Sequence, residues 1–289
     1  MRAATRAAVA DALGSKVESE QAVGGGSINE AFACTLGDGR AVFVKANPGS
    51  DPRMFPCEAR GLAWLEAADA IRLPKVLAVN AAGAGEPFLV LEMLVAGRRR
   101  KDYDELLGRG LAQLHLAGAE SFGFTEDNFL ATLDQDNTVS GDWPSFYARQ
   151  RLEPLVRAAI SAGHVGPGWL DEFEPLFERM AEVTGPAEPP ARLHGDLWSG
   201  NLHADQTGTP VLIDPAVYGG HREIDLAMLR LFGSPSRRFF DAYNEAYPLA
   251  PGHEQRVELY QLYPLLAHVN LFGRSYVGST ESALAAAMP

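Results

Sequence analysis

Cysteine is almost missing from this 289-residue chain; Cys34 and Cys57 are its only two. A single possible pair cannot supply the disulfide framework of a small secreted domain, so a reducing cytoplasm is the expected compartment. Long apolar runs are missing as well. No stretch approaches roughly 18 residues, and the N-terminal segment lacks the apolar heart of a signal peptide, so neither a membrane span nor export is expected. Positive charge is the third shortage: 25 Lys and Arg against 37 Asp and Glu leave a net charge of −12. That balance repels nucleic-acid backbones and anionic membranes at long range, so neither is expected as a partner. The one basic run, Arg98-Arg99-Arg100-Lys101, reads as a solvated turn. Repeats with a period of about 20 to 50 residues are also lacking, which excludes a solenoid. What remains is ordinary globular usage, 46% hydrophobic and 21% charged, enough for a sizeable core.

An opening helix over residues 1–13 is read from its alanines and from the four-residue spacing of Val9 and Leu13, with Gly14 as its stop. Short extended pieces follow at 17–23, 31–36 and 40–45. Gly37-Asp38-Gly39 joins the last two and predicts a hairpin closed by a tight primed turn. A helix near 54–68, with Leu62 and Leu65 on one face, interrupts the sheet before extended runs at 75–79 and 88–91. Beyond Gly97 the texture turns helical: Leu106, Leu107, Leu111, Leu114 and Leu116 mark 104–116, and similar spacing recurs at 145–162, 169–181, 221–232 and 255–272. Sheet first and helices second predicts an α+β chain of two lobes, a sheet-rich 1–94 and a mainly helical 95–289, with a Pro-rich connector at 186–190.

The chemistry concentrates in Leu193-His194-Gly195-Asp196-Leu197-Trp198-Ser199-Gly200-Asn201, followed by Val211-Leu212-Ile213-Asp214. Asp196, Asn201 and Asp214 stand five and then thirteen residues apart on loops beside short apolar strands, where side chains can converge. Carboxylate plus amide oxygen suits Mg²⁺, a hard cation that keeps positions for water and phosphate. Asp196 is then left to accept a hydroxyl proton. Either Asp196 or Asn201 alone would serve equally as a turn cap. Upstream, Gly24-Gly25-Gly26-Ser27 lies between two extended runs, and a stretch without Cβ atoms lets backbone N–H groups approach phosphate oxygens. Lys45 closes the strand Ala41-Val42-Phe43-Val44-Lys45, and Glu58 follows thirteen residues later on the next helix. An ammonium in a partly dry crevice needs such a carboxylate.

This spacing resembles that of protein kinases, in which a His-x-Asp turn is followed five residues on by Asn and then by an Asp at a strand end. With Gly195 in the middle it is similar to the aminoglycoside-phosphotransferase-like kinases of small molecules. The longer string His-Gly-Asp-Leu-Trp-Ser-Gly-Asn resembles the signature of the fructosamine-3-kinase, or ketosamine kinase, family. The likeness runs over nearly the whole chain, through Phe122-Gly123-Phe124, Gly141-Asp142-Trp143, Asp214-Pro215-Ala216-Val217-Tyr218 and the C-terminal Tyr260, His268 and Asn270. It implies a bilobal protein-kinase-like fold with a small antiparallel-sheet N-lobe and a larger, mainly helical C-lobe. It also implies an ATP-dependent phosphotransferase acting on the 3-hydroxyl of a ketosamine, such as a fructosamine or ribulosamine, for deglycation repair.

By the same resemblance Asp196 is the catalytic base, while Asn201 and Asp214 hold Mg²⁺. Gly24, Gly25, Gly26, Ser27 and Lys45 serve the ATP phosphates, with Glu58 orienting Lys45. Glu92 and Leu94 meet adenine through their backbone, with Met93 beside it. Trp198, His268 and Asn270 are candidates for the sugar site. Asp225, among apolar residues at helical spacing, and His194, behind the catalytic turn, are expected as structural supports. Ser27 stands where eukaryotic members commonly carry Cys, so no thiol switch is expected there. Leu133-Asp134-Gln135, Val139 and Gly219 depart from the family pattern near its substrate site. Two other readings remain: a kinase of another small alcohol, of the aminoglycoside, homoserine or methylthioribose type, and a non-catalytic nucleotide-binding protein on the same scaffold. The oligomeric state is left open.

Overall fold

The computed structural model describes residues 1–24 and 29–288. They fall into two compact units, Met1–Tyr103 with Leu202–Ala216, and Asp104–Asn201 with Val217–Pro289. The first unit opens with α1 (Ala3–Leu13), stopped by Gly14 in the left-handed region at φ +65°. Strands β1 (Val17–Ala22), β2 (Glu30–Leu36) and β3 (Ala41–Ala46) follow, then α2 (Met54–Glu66), β4 (Val76–Val79) and β5 (Phe88–Glu92). The strands form one antiparallel sheet in the order β1-β2-β3-β5-β4. Alternation decides its faces: Phe32, Cys34 and Leu36 of β2 and Val42, Val44 and Ala46 of β3 join Val9 of α1, Phe88 and Val90 in a core. Lys45 therefore lies on the opposite face of β3, paired across the sheet with Ala31 and Leu89.

The β2–β3 connection differs from the expected primed turn. Only Gly39 takes a positive φ, +85°. Its N–H donates to the Leu36 carbonyl, and the Leu36 N–H to the Arg40 carbonyl, each at 2.9 Å. A three-residue loop ending in one left-handed glycine matches the strand twist without forcing Asp38 into that region.

The segment Leu202–Ala216 completes the first unit as a hairpin, Leu202–Ala204 against Pro210–Leu212. It is tied in by the Leu212 N–H on the Arg72 carbonyl (3.0 Å), the Gly97 N–H on the Ala204 carbonyl (3.0 Å) and the Arg72 guanidinium on Asp205 (2.6 Å). Glycine is required at position 97, because a Cβ would sit 2.1 Å from the Asp205 carbonyl oxygen.

The second unit is mainly helical: α3 (Tyr103–Leu116, whose first residue belongs to the first unit), α4 (Trp143–Phe146), α5 (Glu153–Ser161), α6 (Trp169–Glu178), α7 (Met180–Val183), α8 (Glu223–Leu231), α9 (Arg237–Ala246), α10 (Val257–Phe272) and α11 (Val277–Ala287). α10 buries Leu259, Tyr260, Leu262, Tyr263, Leu265, Leu266 and Val269, too many for one stripe, so neighbours enclose it on several sides. The single helix expected over 145–162 is interrupted, since Tyr147–Leu152 form a π-helical turn. The wider turn brings Tyr147, Ala148, Arg151 and Leu152 all inward. Arg151 is fully buried, its guanidinium 3.9 Å from the Tyr218 ring centre and 4.5 Å from that of Phe146.

Ala191–Leu193 pairs with Tyr218–Gly220, and this short ribbon leads directly into His194. Gly219, one of the departures from the family pattern, is dictated by the backbone: a Cβ there would lie 2.0 Å from the Ser121 carbonyl oxygen. Among the described residues, no helix is long and apolar enough to cross a membrane.

Candidate active site

Three expected residues meet in the first unit. Strand alternation directs Lys45 away from the sheet core, and its Nζ donates to Glu58 Oε1 at 2.6 Å and to Asp214 Oδ1 at 2.7 Å. Glu58 comes from the first turns of α2, and Asp214 from the stretch just after the Leu202–Ala216 hairpin strands. The Lys45 and Glu58 side chains are buried, whereas Asp214 is 42% exposed and so is the member open to a ligand. Asp214 holds φ +55°, the left-handed region that Asp tolerates better than most residues. Burial pulls the Lys45 ammonium toward neutrality, but the carboxylates of Glu58 and Asp214 outweigh it and raise the pKa above the ordinary lysine value. Burial likewise raises the Glu58 carboxyl, with Lys45 opposing and the Asp214 charge adding to the rise. The resulting group is a fixed cation beside one shielded and one presented carboxylate.

Glu92, at the end of β5, donates its backbone N–H to the Lys75 carbonyl at 2.9 Å, and its carboxylate accepts from Arg72 at 3.1 Å. Met93 and Leu94 follow, half-buried. Asp205 is a hairpin residue. Its carboxylate accepts from the Thr207 hydroxyl and from the N–H groups of Thr207 and Thr209, which with Arg72 hold it at about 2, below the usual carboxylate range. Gly24 has open space where a Cβ would stand, and Gly25, Gly26 and Ser27 lie outside the described residues.

The catalytic-turn candidates gather in the second unit. Gly195, at φ +82°, lets the chain reverse between His194 and Asp196. Asn201 donates its amide to the Asp196 carbonyl at 2.7 Å and to the Asp196 carboxylate at 3.1 Å, so the nitrogen faces Asp196 and the amide oxygen turns the other way. His194 is fully buried; its backbone N–H goes to Asp225 at 2.8 Å, and its ring Nδ1 accepts the Asp196 N–H at 3.3 Å. Asp225 also accepts the Gly195 N–H at 2.9 Å, so one buried carboxylate on α8 grips two successive amides of the turn. Burial alone would raise the Asp225 carboxyl, yet the hydrogen bond and charge of His115, the charge of His194 and the Gly195 N–H bring it below the ordinary value.

Trp198 is 37% exposed, and its ring lies over Gly200, where a Cβ would come within 2.3 Å of the indole. Gly200 is thus the seat of that ring. His268 binds the Pro264 carbonyl through Nδ1 at 2.7 Å and stacks on Phe232 at 4.4 Å, with Tyr276 at 4.9 Å. Asn270 donates both amide hydrogens, to the carbonyls of Leu155 (3.0 Å) and Leu266 (2.8 Å).

Sequence reading missed a buried polar relay behind the turn. Arg151 donates to Asn137 (2.6 Å), Asn137 and Gln135 both donate to Asn128 (2.9 and 2.7 Å), and Gln135 accepts from the Tyr263 hydroxyl (2.6 Å). Tyr263 is pushed up to about 12 by burial, with Arg151 opposing and the Asp196 charge adding. Separate polar letters in the sequence carry no signal of this. His115 was also missed, although its place in the apolar stripe of α3 with Leu107, Leu111 and Leu114 was a usable sign.

A family model described as fructosamine kinase matches residues 1–288. The chain is 37% identical over 272 residues to a Synechocystis protein named probable ketoamine kinase, covering 93% of this chain and 90% of that protein. It is 37% identical over 275 residues to the chloroplastic protein-ribulosamine 3-kinase of Oryza sativa subsp. japonica, covering 92% and 78%. Among solved structures, a candidate fructosamine-3-kinase from Thermobifida fusca superposes with a TM-score of 0.88 at 41% identity, covering 98% of each chain. The aminoglycoside phosphotransferase APH(4)-Ia aligns over 98% of each chain with a TM-score of 0.61 at 14% identity, a likeness of fold alone.

Proposed function

Because the chain belongs to the fructosamine kinase family, we propose that it is an ATP-dependent kinase of ketosamines, transferring the γ-phosphoryl group to the 3-hydroxyl of the sugar. The observation that carries this reading is the match over residues 1–288 combined with an intact set of Lys45, Glu58, Asp196, Asn201 and Asp214. A non-catalytic scaffold is expected to lack at least one of them.

In this reading Lys45, oriented by Glu58, steers the α- and β-phosphates, while Gly24, Gly25, Gly26 and Ser27 cover them. Glu92, Met93 and Leu94 meet the adenine. Since the Glu92 N–H is already engaged by Lys75, Glu92 would contribute its carbonyl and Leu94 its N–H. Asn201 and Asp214 suit Mg²⁺: they are hard oxygen donors, too few to form a cage, which fits a cation that arrives with phosphate and water. When bound, the metal supplies charge neutralisation on the β- and γ-phosphates. Asp196 orients the sugar hydroxyl and takes its proton as the new P–O bond forms and ADP departs. Trp198, His268 and Asn270 line the sugar side. Phosphorylation beside the amine linkage makes the adduct easier to break down, which fits a role in deglycation repair.

The test is a coupled ADP-release screen of free ribulosamines, erythrulosamines and fructosamines against aminoglycosides. Turnover with a ketosamine and none with an aminoglycoside is the expected result, and kcat/KM ranks the sugars. ATP binding without transfer to any ketosamine overturns the proposal.

A further inference from the structure

Arg72, in the segment between α2 and β4, joins two parts of the first unit that lie far apart in the chain. Its backbone carbonyl accepts the Leu212 N–H at 3.0 Å, two residues before Asp214, and it forms a parallel bridge with Val211. Its guanidinium divides between two acids. Nη1 donates to Asp205 Oδ2 at 2.6 Å, and Nη2 donates to Glu92 Oε1 at 3.1 Å. The Thr207 hydroxyl and the N–H groups of Thr207 and Thr209 all bind Asp205 Oδ1, which leaves Oδ2 facing the arginine. Glu92 closes β5, with its N–H spent on Lys75 and its carbonyl assigned above to adenine. The Arg72 side chain is 41% exposed, so its two ion pairs add little to stability by charge alone. What the planar fork supplies is spacing: it holds two carboxylates at a fixed separation, which the point charge of a lysine does not.

We propose that Arg72 is a positioning residue for nucleotide binding: it couples the strand end at Glu92 to the hairpin that presents Asp214, and so fixes the span between the adenine and phosphate ends of the site. This rests on the kinase reading for the identity of the ligand. Removing a hydrogen-bonded partner one step behind a functional group commonly costs about 10- to 100-fold in affinity or activity. The lower end applies to the side chain, because the main-chain bond from Leu212 survives its removal.

The variant Arg72→Met keeps an apolar stem and removes the fork. Its Kd for MgADP, read by calorimetry with no sugar present, is expected to rise about tenfold, and KM for ATP with it, while KM for the ketosamine stays within about twofold. Arg72→Lys, which offers one charge to two carboxylates, is expected to fall between that variant and wild type. If the methionine variant binds MgADP within twofold of wild type well below its unfolding midpoint, the proposal is overturned. It is overturned equally if both KM values rise together, the mark of a general loosening rather than of a lost span. Should that variant fail to fold, Glu92→Met carries the test. It frees one arm of the fork and leaves the other on Asp205, and an unchanged affinity for MgADP again overturns the proposal. A wild-type protein that binds MgADP yet phosphorylates no ketosamine refutes the substrate reading alone, since nucleotide affinity still decides the role of Arg72. One that binds no nucleotide overturns both.

Discussion

Replacing Glu58 by Gln tests whether a pair of acids, rather than one, holds the site's ammonium. Lys45 touches Glu58 at 2.6 Å and Asp214 at 2.7 Å. At an effective dielectric near 20, each contact corresponds to about 6 kcal/mol of attraction before desolvation is counted. The net worth is far smaller, since burial works against the charge. A hydrogen bond to a charged group contributes about 1.5–3 kcal/mol and a neutral one about 0.5–1.5, and the glutamine oxygen can still accept from Nζ. The stability loss should therefore be about 1–2 kcal/mol, a few degrees in Tm for a chain of this size. The kinetic effect should be larger, because Asp214 would then be the one charged partner Lys45 keeps of the two, and the ammonium would draw that exposed carboxylate away from its ligand. kcat/KM for ATP is expected to fall about 10- to 100-fold, or about 1.4–2.7 kcal/mol in transition-state binding. Coupled ADP release across an ATP titration measures the first quantity and thermal unfolding the second. A Glu58→Gln enzyme within twofold of wild type in kcat/KM, with an unshifted Tm, would refute the reasoning.

Asp196→Asn should lower turnover by about two to four decades while ATP affinity by calorimetry stays nearly unchanged; near-full activity would exclude Asp196 as the base. Gly97→Ala drives a methyl into the Asp205 carbonyl at 2.1 Å and should cost about 1–3 kcal/mol or more in denaturant unfolding, and a stability equal to wild type would refute the requirement for glycine there. His221 is held at about 4, against an ordinary 6.5, chiefly by burial, with Glu188 pulling the other way. Below pH 6.5 the unfolded chain binds a proton there that the folded chain does not, so stability present at neutral pH should drain between pH 6.5 and 4, by about 3 kcal/mol in total. Denaturant midpoints from pH 7.5 to 4.5 should fall less steeply in His221→Asn, and parallel curves for the two proteins would remove His221 as the cause.

The legible parts of the fold were those with local cause. Gly37-Asp38-Gly39 between two extended runs marked the hairpin, and alanines stopped by Gly14 marked α1. The turn between the strands was located but mistyped, since Gly37-Asp38-Gly39 suits either a primed turn or a loop with one left-handed glycine. Periodicity over 145–162 foresaw helix but not the π turn, which depends on a fully buried Arg151 finding the rings of Tyr218 and Phe146 from distant segments. α9 escaped notice because Arg237-Arg238-Phe239-Phe240-Asp241 looks like surface until Phe239 and Tyr243 are seen buried together. At the site, motif spacing singled out Lys45, Glu58 and Asp225. The direct bond from Lys45 to Asp214 and the hold of His115 on Asp225 span 169 and 110 residues, and no local pattern encodes such distances.

The division of the chain also bears on how it is made. The first unit takes its last piece, Leu202–Ala216, only after the intervening residues 104–201 have been threaded. On a ribosome, Lys45 emerges 169 residues ahead of Asp214, and Arg72 emerges 133 ahead of Asp205. The nascent N-terminal sheet must wait, its ammonium half-neutralised and its docking edge at Arg72 and Gly97 bare, until the residues up to the hairpin have been made. No single scission releases either unit whole: a fragment stopping at residue 103 has lost the hairpin, and one starting at 104 carries that hairpin with nothing to receive it.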